Sequence, residues 1–353
     1  MRKEASTVLY RTHRPKSFKE VRGQEHVVRV LESALESGRI SHAYLFAGGR
    51  GTGKTTFARI LARALKVSDK DLYEMDAASR TGVDDIRELR EGVYVVPFES
   101  PYKCYIIDEA HMLSKSAWNA LLKTLEEPPS HVLFILATTE LDKVPDTIQS
   151  RCQVFRFTQP SREVLTDVVS DVAKKEKYTL ERSAGELIAL LAEGSFRDAL
   201  SMLEKTFSVS KNKKISVAEV EIASGAPSGD VVRKIIEGIT VRDSGVALSA
   251  LHSATGGHMD MRVLTKLLIH RMRAVLLLRF APDVAKHVAK EMTEADMELA
   301  ERVAKNRGVT SDTLRALLEA YATMAYAALP HLPLELAIID ICAQGVAESQ
   351  KTD

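Results

Sequence analysis

The stretch "GGRGTGKT" at residues 48–55 constrains this chain more than any other, because it fits the pattern G-x-x-x-x-G-K-[ST]. An apolar run precedes it and a helical pattern follows it, which is the setting that this pattern requires. Glycines let such a loop fold tightly, so that backbone N–H groups point at phosphate oxygens beside the N-terminus of the helix. The stretch therefore predicts a phosphate-binding loop; a glycine turn that only joins a strand to a helix is the alternative. The candidate binding residues are Gly48, Gly49, Arg50, Gly51, Thr52, Gly53, Lys54, Thr55 and Thr56.

The second element is "YIIDEAH" (105–111), an apolar strand that ends in two carboxylates. Asp108 can hold Mg²⁺ through water, and Glu109 can polarise an attacking water. On the loop, Lys54 would pair with the terminal phosphates and Thr55 would place its hydroxyl on Mg²⁺. A solvated strand end is the ordinary explanation of an Asp-Glu pair, but the phosphate loop before it favours a joint site.

The alternation of apolar runs with helical patterns over the first 160 residues predicts an α/β domain with a parallel sheet flanked by helices. Strands are predicted at 42–48, 72–77, 102–109, 131–139 and 152–157, and helices at 24–38, 54–66, 83–93, 115–127 and 143–149.

After residue 160 the strand pattern stops, and apolar residues recur at helical spacing. We predict a small helical domain over 161–225 and an all-helical domain over 226–353, divided at the Gly-, Ser- and Pro-containing "SGAPSGD". Their helices are predicted at 162–177, 183–193, 196–207, 216–224, 229–239, 243–253, 260–280, 293–306, 311–328 and 332–348.

Two further stretches carry candidate site residues. In "ATTELDKVPDTIQSRC" (137–152), a strand inserted beside the phosphate-loop strand would place Thr138 or Thr139 near the terminal phosphate, although a capping threonine is the alternative. Arg151 lies at a helix end outside this pocket, where a surface salt bridge is the simplest explanation. In "EGSFRDALSML", Ser195 is predicted to cap a helix whose first turn holds Arg197, a cation that the helix dipole disfavours.

Charge and composition exclude some classes of protein. The chain of 353 residues has 49 Lys and Arg against 48 Asp and Glu, so overall basic charge does not imply a partner. Its three cysteines are far apart and predict neither a disulfide framework nor a zinc site. The absence of a signal-peptide pattern and of any run of 18 apolar residues leads us to expect a cytoplasmic chain without a membrane anchor.

The chain resembles AAA+ ATPases, and its sequence motifs are similar to those of the gamma/tau subunits of the bacterial DNA polymerase III clamp loader. The resemblance rests on "RTHRPKSFKEVRGQEHVVRVL", "GRISHAYLFAGGRGTGKTT", "DAASRTGVDDIREL", "YIIDEAHMLSKSAWNALLKTLEEPP", "LATTELDKVPDTIQSRC" and "EGSFRDALSML". It is dense over residues 7–208, whereas over 226–350 only helical content and position suit the collar domain of the family.

The resemblance implies an ATP-hydrolysing motor that uses ATP and Mg²⁺ to open a sliding clamp and load it onto primed DNA. The implied partners are the other subunits of a hetero-pentamer, the clamp, primed DNA and single-stranded-DNA-binding protein. Lys54, Thr55, Asp108 and Glu109 keep the roles given above. The resemblance further assigns Thr139 to the sensor 1 position, Arg151 to an arginine finger acting on a neighbouring subunit, and Arg197 to sensor 2; Arg11, Arg14, Pro15 and Val21 to Gln24 would line the adenine side.

The sequence departs from the family in two ways. The stretch "ARALKVSDKDLYEMD" (62–76) lacks the four-cysteine module that family members commonly carry, so we expect no zinc. The chain stops soon after the predicted collar, so we expect the short, gamma-type form or a trimmed one, without direct coupling to a helicase.

Two further stretches are candidates for contacts with DNA and with the clamp. Arg80 and the backbone of Thr81 to Val83 are positioned to hold one DNA phosphate, although an ordinary capped helix start explains them as well. The apolar residues of "LREGVYVVPFESPYK" (89–103) predict a clamp contact or, equally, a buried loop core. The alternative functions are a non-hydrolysing stator of the same assembly and another AAA+ DNA motor such as a branch-migration helicase, which would be expected to add a winged-helix domain.

Overall fold

The computed structural model describes residues 8–79, 83–255, 259–289, 294–306 and 308–349. They divide into two compact units. The first comprises residues up to Val168 together with Ala192–Ser201, and the second comprises Val169–Leu191 and the residues from Met202 onward. The three-domain division at residues 160 and 225 stays a prediction.

A five-stranded sheet forms the centre of the first unit, and all its strand pairs are parallel. The strands, in chain order, are β1 (Ala43–Gly48), β2 (Leu72–Asp76), β3 (Lys103–Asp108), β4 (Val132–Thr138) and β5 (Gln153–Phe157). Their spatial order is β2-β3-β4-β1-β5. The five predicted strands are thus confirmed, and β4 is inserted between β1 and β3 as expected.

The three central strands, β3, β4 and β1, are buried on both faces because each face of the sheet covers its own hydrophobic core, whereas the edge strands β2 and β5 are partly exposed. Tyr44 and Phe46 lie in one cluster with Phe57 and Leu61, whereas Leu45 belongs to the other cluster. Successive residues of a strand point to opposite faces, so a sheet covered by helices on both sides has no polar face to alternate with. The two cores therefore lie on opposite faces of the sheet, and β1, which leads into the phosphate loop, contributes to both.

The helices of the first unit follow the prediction closely. They are α1 (Leu9–Thr12), α2 (Glu25–Ser37), α3 (Lys54–Ala64), α4 (Val83–Val93), α5 (Lys115–Glu126) and α6 (Asp146–Gln149), with 3-10 turns at Phe18–Glu20, Ala110–Met112 and Leu141–Lys143. The predicted helix at 143–149 is wrong in its first residues: Pro145 disfavours helical backbone in the residue before it, so α6 begins only at Asp146.

Helices dominate the rest of the chain. They are α7 (Arg162–Lys175), α8 (Arg182–Leu191), α9 (Phe196–Val209), α10 (Val217–Ser224), α11 (Gly229–Val241), α12 (Ser244–Thr255), α13 (Met261–Phe280), α14 (Pro282–Ala289), α15 (Glu294–Ala304), α16 (Ser311–Thr323) and α17 (Leu332–Ser349). The prediction of helices alone is wrong where Thr179–Leu180 (β6) and Lys214–Ile215 (β7) form a short parallel pair. In addition, α14 was not predicted, and the helix predicted at 311–328 ends at Thr323.

The second unit has a core made from helix faces. Ile235, Ile239, Leu264, Leu268 and Met272 are among its buried members. Within the described ranges, no helix combines the length and the apolar character needed to cross a membrane.

Candidate nucleotide site

The predicted phosphate loop lies between the end of β1 and the start of α3. Gly51 and Gly53 have φ angles of 71° and 104°, in the left-handed region that favours glycine. A Cβ added to Gly51 would lie 2.0 Å from the hydroxyl oxygen of Ser195, so this close approach also requires glycine. The carbonyl of Gly51 accepts a 3.0 Å hydrogen bond from the backbone N–H of Phe196. The loop is therefore packed against the turn that opens α9.

Lys54 is buried at the first position of α3. Its ammonium donates 2.8 Å hydrogen bonds to the carbonyl oxygens of Gly48 and Gly49. Burial lowers the pKa of Lys54, an effect that the nearby carboxylates of Glu109 and Asp108 oppose. The two carbonyl partners of this buried ammonium are neutral, so its positive charge is available to bind an anion.

Thr55 and Asp108 are brought together across the sheet. The Thr55 hydroxyl donates a 2.7 Å hydrogen bond to Oδ2 of Asp108, and the other carboxylate oxygen accepts from the backbone N–H of Glu109. Glu109 has a φ of 48°, a left-handed conformation that is uncommon for a non-glycine residue. Hydroxyl and carboxylate oxygens at this spacing are ligands that suit Mg²⁺.

Thr138, which ends β4, and Thr139, which follows it, have different surroundings. The Thr139 hydroxyl donates a 3.1 Å hydrogen bond to Oε2 of Glu109. Thr138 is buried, and its hydroxyl bonds to the carbonyl and N–H of Glu140. Of the two candidates, Thr139 is therefore the one that contacts the Asp-Glu pair, whereas Thr138 caps the strand end.

Arg197 lies in the first turn of α9, where Ser195 caps the helix by accepting a hydrogen bond from the N–H of Asp198, as predicted. The Arg197 guanidinium lies 5.5 Å from the centre of the Tyr10 ring, within cation–π range. Burial lowers the pKa of Arg14, and the charges of Arg59 and Arg197 lower it further. The N-terminal segment and the start of α9 thus bring several guanidinium groups to one place.

A cavity of about 780 Å³ joins these elements within the first unit. It is lined by Tyr10, Arg11, Arg14, Lys16, Thr55, Arg59, Arg63, Glu74, Met75, Asp76, Asp108 and Arg197. Arg11 and Arg14 of the predicted adenine side are among them, whereas Pro15 and Val21 are half-buried outside this lining. Gln24 bonds instead to the backbone of Thr158, at the end of β5. In the loop, Arg50 is exposed and Thr56 half-buried.

Arg151 lies apart from the cavity. Its guanidinium donates a 2.6 Å hydrogen bond to Oε1 of Glu126, at the end of α5, and a 2.7 Å hydrogen bond to the carbonyl of Thr147. The guanidinium is one-third exposed. The chain therefore places Arg151 in the surface salt bridge that its local sequence suggests, and no contact in the described part of the chain links it to Lys54 or Asp108.

Sequence reasoning did not single out several residues of this region. They are Tyr10 and the ion pair of Arg59 with Glu74 at the cavity wall, and His111 and Glu140 behind Glu109. His111 was within reach of prediction, because it follows the Asp-Glu pair by two residues in the same stretch. Tyr10 and Arg59 give no local signal, since only the fold brings them to the pocket.

Comparisons with known proteins identify the relatives of this chain. Residues 23–81 and 66–161 match a family model described as DNA polymerase III, delta subunit, and residues 165–212 match one described as DNA polymerase III clamp loader subunit, ATPase lid domain. The DNA polymerase III subunit gamma of Buchnera aphidicola subsp. Baizongia pistaciae is 35% identical over 318 residues, which cover 83% of this chain and 86% of that relative. The chain belongs to the gamma/tau family of DNA polymerase III clamp loader subunits.

Other members of the family are longer than this chain. The DNA polymerase III subunit tau of Bacillus subtilis is 36% identical over 356 residues, which cover 95% of this chain but 63% of that relative. The gamma/tau subunit of Mycoplasma pneumoniae is 44% identical over 61% of this chain and 34% of its own length. The chain thus spans less than two-thirds of these relatives.

The fold of this gamma/tau family member is that of the AAA+ ATPases. The RuvB Holliday junction branch migration motor of Thermotoga maritima superposes with a TM-score of 0.52 at 24% identity, over 64% of this chain and 78% of that chain. At that identity the likeness concerns the fold alone.

Proposed function

We propose that this chain binds ATP with Mg²⁺ and hydrolyses ATP as a motor subunit of the clamp loader, which opens a sliding clamp and loads it onto primed DNA. The observation that carries the proposal is the hydrogen bond from Thr55 to Asp108, made beside the buried Lys54 and next to Glu109. A phosphate loop, a Mg²⁺ ligand pair and a carboxylate for water are the parts that this reaction needs.

The residues present fit ATP and Mg²⁺. Gly51 and Gly53 leave no side chain in the bend of the loop, so its backbone can approach phosphate oxygens closely. Lys54 would exchange its two carbonyl partners for phosphate oxygens, and Thr55 with Asp108 would hold Mg²⁺. When bound, Mg²⁺ supplies positive charge that neutralises the phosphates.

Glu109 is the proposed group that orients and polarises the attacking water. Thr139 donates to one of its carboxylate oxygens, which fixes the direction of the side chain from the neighbouring strand. Arg197, which lines the same cavity, would read the terminal phosphate from the start of α9. A guanidinium held over an aromatic ring is pre-oriented for such a contact.

Arg151 is proposed to act on the nucleotide of a neighbouring subunit. Its place outside the lining of the described cavity and its partly exposed guanidinium fit a group that serves another chain, and an arginine finger accelerates phosphoryl transfer by neutralising transition-state charge. A lone subunit should then hydrolyse ATP slowly.

The loop after α4 is the proposed clamp contact. Tyr94, Val95, Val96 and Phe98 are all exposed, with 71% of Val96 and 74% of Phe98 accessible, so the alternative of a buried loop core is wrong for these side chains. The buried carboxylate of Asp71 accepts backbone N–H groups from Phe98, Glu99 and Ser100 and fixes the far end of the loop. A fixed apolar loop suits a hydrophobic pocket on a protein partner.

The remaining partners are proposed from family membership. They are the other loader subunits, primed DNA held by its phosphates, and single-stranded-DNA-binding protein, all in the cytoplasm. Arg80, Thr81 and Gly82, which were predicted to hold a DNA phosphate, lie outside the described residues; the helix that follows them begins at Val83, as predicted.

Two other functions fit less well. A stator would have no need of Lys54, Thr55, Asp108 and Glu109 in one constellation, because it does not hydrolyse ATP. A branch-migration motor would be expected to carry a winged-helix domain, whereas the described residues beyond 226 form helices only.

The test is ATP turnover of this chain with the other loader subunits, adding the clamp and then primed DNA, in parallel with nucleotide binding. We expect turnover to rise at each addition and Lys54→Ala to lose both binding and turnover. The matched control is Lys205→Ala, an exposed lysine on α9, which should behave as the wild type. A wild-type chain that binds ATP but adds no turnover to the assembly would support the stator.

A further inference from the structure

His111 lies behind the Asp-Glu pair, in the 3-10 turn that follows β3. Its side chain is only 7% exposed. The ring nitrogen Nδ1 lies 3.0 Å from the hydroxyl oxygen of Thr138 and 3.6 Å from Oε2 of Glu109, and Nε2 lies 3.3 Å from Oε1 of Glu140. One imidazole thus connects the carboxylate end of β3 with the end of β4.

The hydrogen bonds around Thr138 determine where the ring carries a proton. The Thr138 hydroxyl donates its single proton to the carbonyl oxygen of Glu140, and the hydroxyl oxygen of Thr138 accepts the N–H of Glu140. Its remaining lone pair can only accept, so Nδ1 of His111 is the donor. The N–H group at Nδ1 is then the part of the ring nearest to Glu109.

Glu140 supports the ring from the other side. A hydrogen bond from Lys143 lowers the pKa of Glu140, and the charge of His111 lowers it further, so the carboxylate is ionised at neutral pH. Nε2 lies 3.3 Å from this carboxylate, which attracts the ring only in the form that carries N–H groups at both nitrogens. In that form Thr138 holds one ring nitrogen of His111 and Glu140 holds the other.

Both groups that approach Glu109 do so at the same oxygen. The Thr139 hydroxyl donates to Oε2 of Glu109 at 3.1 Å, and Nδ1 of His111 lies 3.6 Å from the same oxygen. Attraction from an N–H dipole or a cation at this distance is appreciable in a partly buried site. Oε1 is then the carboxylate oxygen available to polarise water.

We propose that His111, oriented by Thr138 and Glu140, is a positioning residue that holds the Glu109 carboxylate in the direction needed for its action on water. The inference rests on the proposed function, because it concerns the same hydrolytic site. It adds His111 and Glu140 to the groups on which turnover depends, although neither lines the cavity.

The test exploits the two ring nitrogens. His111→Asn keeps an N–H donor near the position of Nδ1, whereas His111→Gln keeps one only near the position of Nε2. In the assembled loader with clamp and primed DNA, we expect His111→Gln to lower kcat roughly tenfold, with the KM for ATP unchanged, and His111→Asn to restore most of the loss. The matched control is His131→Gln: this half-buried histidine, just before the start of β4, has its Nε2 at 3.2 Å from the carbonyl oxygen of Val93, and the substitution should leave kcat unchanged.

A double-mutant cycle separates positioning from a general structural role. His111→Gln added to Glu109→Gln should cause no further fall in kcat, because the carboxylate that His111 holds is already gone. Thermal unfolding and nucleotide binding are measured for every variant. The inference is overturned if the two His111 variants lose activity equally, if neither loses it, or if the losses of His111→Gln and Glu109→Gln simply multiply. Absence of turnover in the wild-type assembly would instead count against the proposed function.

Discussion

The cavity beside Lys54 and the surface around Arg151 use the same kinds of side chain in opposite ways. In the cavity region, Thr55 bonds to Asp108 and Thr139 to Glu109, so the groups for one reaction contact each other within the chain. Arg151 lies outside and is paired with Glu126, and the apolar loop 94–98 is exposed without a covering core. The difference teaches that this chain assembles one set of polar groups internally and leaves Arg151 and the apolar loop at its surface, where the proposed contacts with other molecules would lie.

The largest predicted effect tests the surface side of this contrast and comes from removing the Arg151 side chain. Arg151→Ala should lower turnover of the assembled loader about a thousandfold while leaving nucleotide binding to this chain unchanged, because the guanidinium acts on another subunit's phosphates. Turnover and binding of a fluorescent ATP analogue are measured side by side.

Glu126→Gln is the control for this prediction. It removes the partner of Arg151 but not the guanidinium, and an exposed ion pair contributes at most about 1 kcal/mol, so turnover should change by no more than a few-fold. If the Arg151→Ala assembly turned over ATP at the wild-type rate, the role of Arg151 would be limited to its surface salt bridge.

The second prediction concerns the apolar loop. Phe98→Ala should weaken clamp binding about thirtyfold, roughly 2 kcal/mol, because exposed aromatic side chains are frequent anchors of protein interfaces. Clamp affinity is measured by titration of labelled clamp into the loader. Val30→Ala, an exposed apolar residue on α2, should leave the affinity unchanged; an equal loss in both variants would argue against a specific contact.

The third prediction tests what holds the loop. Burial raises the pKa of Asp71, but hydrogen bonds from the backbone of Glu99, Phe98 and Ser100 outweigh it and lower the pKa to about 2, from an ordinary 3.8. The folded-state pKa is depressed, so the stabilisation is complete above about pH 4 and is lost as the pH falls toward 2.

Asp71→Asn should therefore lower the free energy of unfolding by about 2 kcal/mol at neutral pH. Urea titrations of both proteins at pH 7, 5, 4 and 3 check the pH dependence: the difference between them should be constant down to about pH 5 and shrink below pH 4. A difference that grows in acid would contradict the assignment of the ionised form.

The smallest predicted effect concerns the two threonines at the end of β4, near Glu109. Thr139→Val should lower kcat about tenfold, or 1.4 kcal/mol, because it removes the hydroxyl that holds Glu109, with little change in thermal stability. Thr138→Val should lower stability, since it leaves the N–H and carbonyl of Glu140 without their hydroxyl partner, and it should also lower kcat, because it removes the hydroxyl that orients His111. Stability and kcat are measured for both variants; a loss of stability in Thr139→Val and not in Thr138→Val would exchange their roles.

Much of the first unit was predictable from the sequence. The apolar runs of β1, β3 and β4 became the central strands because a sheet covered on both faces needs continuous apolar segments, whereas the mixed runs of β2 and β5 became its partly exposed edges. The glycine pattern became the loop between β1 and α3. The Asp-Glu pair was predictable because the carboxyl ends of parallel strands meet at one edge of the sheet. Helical periodicity gave the second unit its helices, but it carried no signal for the two-residue strands β6 and β7.

The sequence by itself thus determined the elements and the residues that a phosphate site requires, since these depend on local pattern and residue chemistry. Only the tertiary structure decided between Thr138 and Thr139, because neighbouring residues at a strand end point in opposite directions. It also decided that His111 contacts Glu109 and Glu140, and that the bond between Gly51 and Phe196 brings Arg197 to the cavity. Arg151, in contrast, pairs with Glu126 outside the cavity lining. These are contacts between segments far apart in the chain, and they depend on the insertion of β4 and on the packing of α9, which no local spacing encodes.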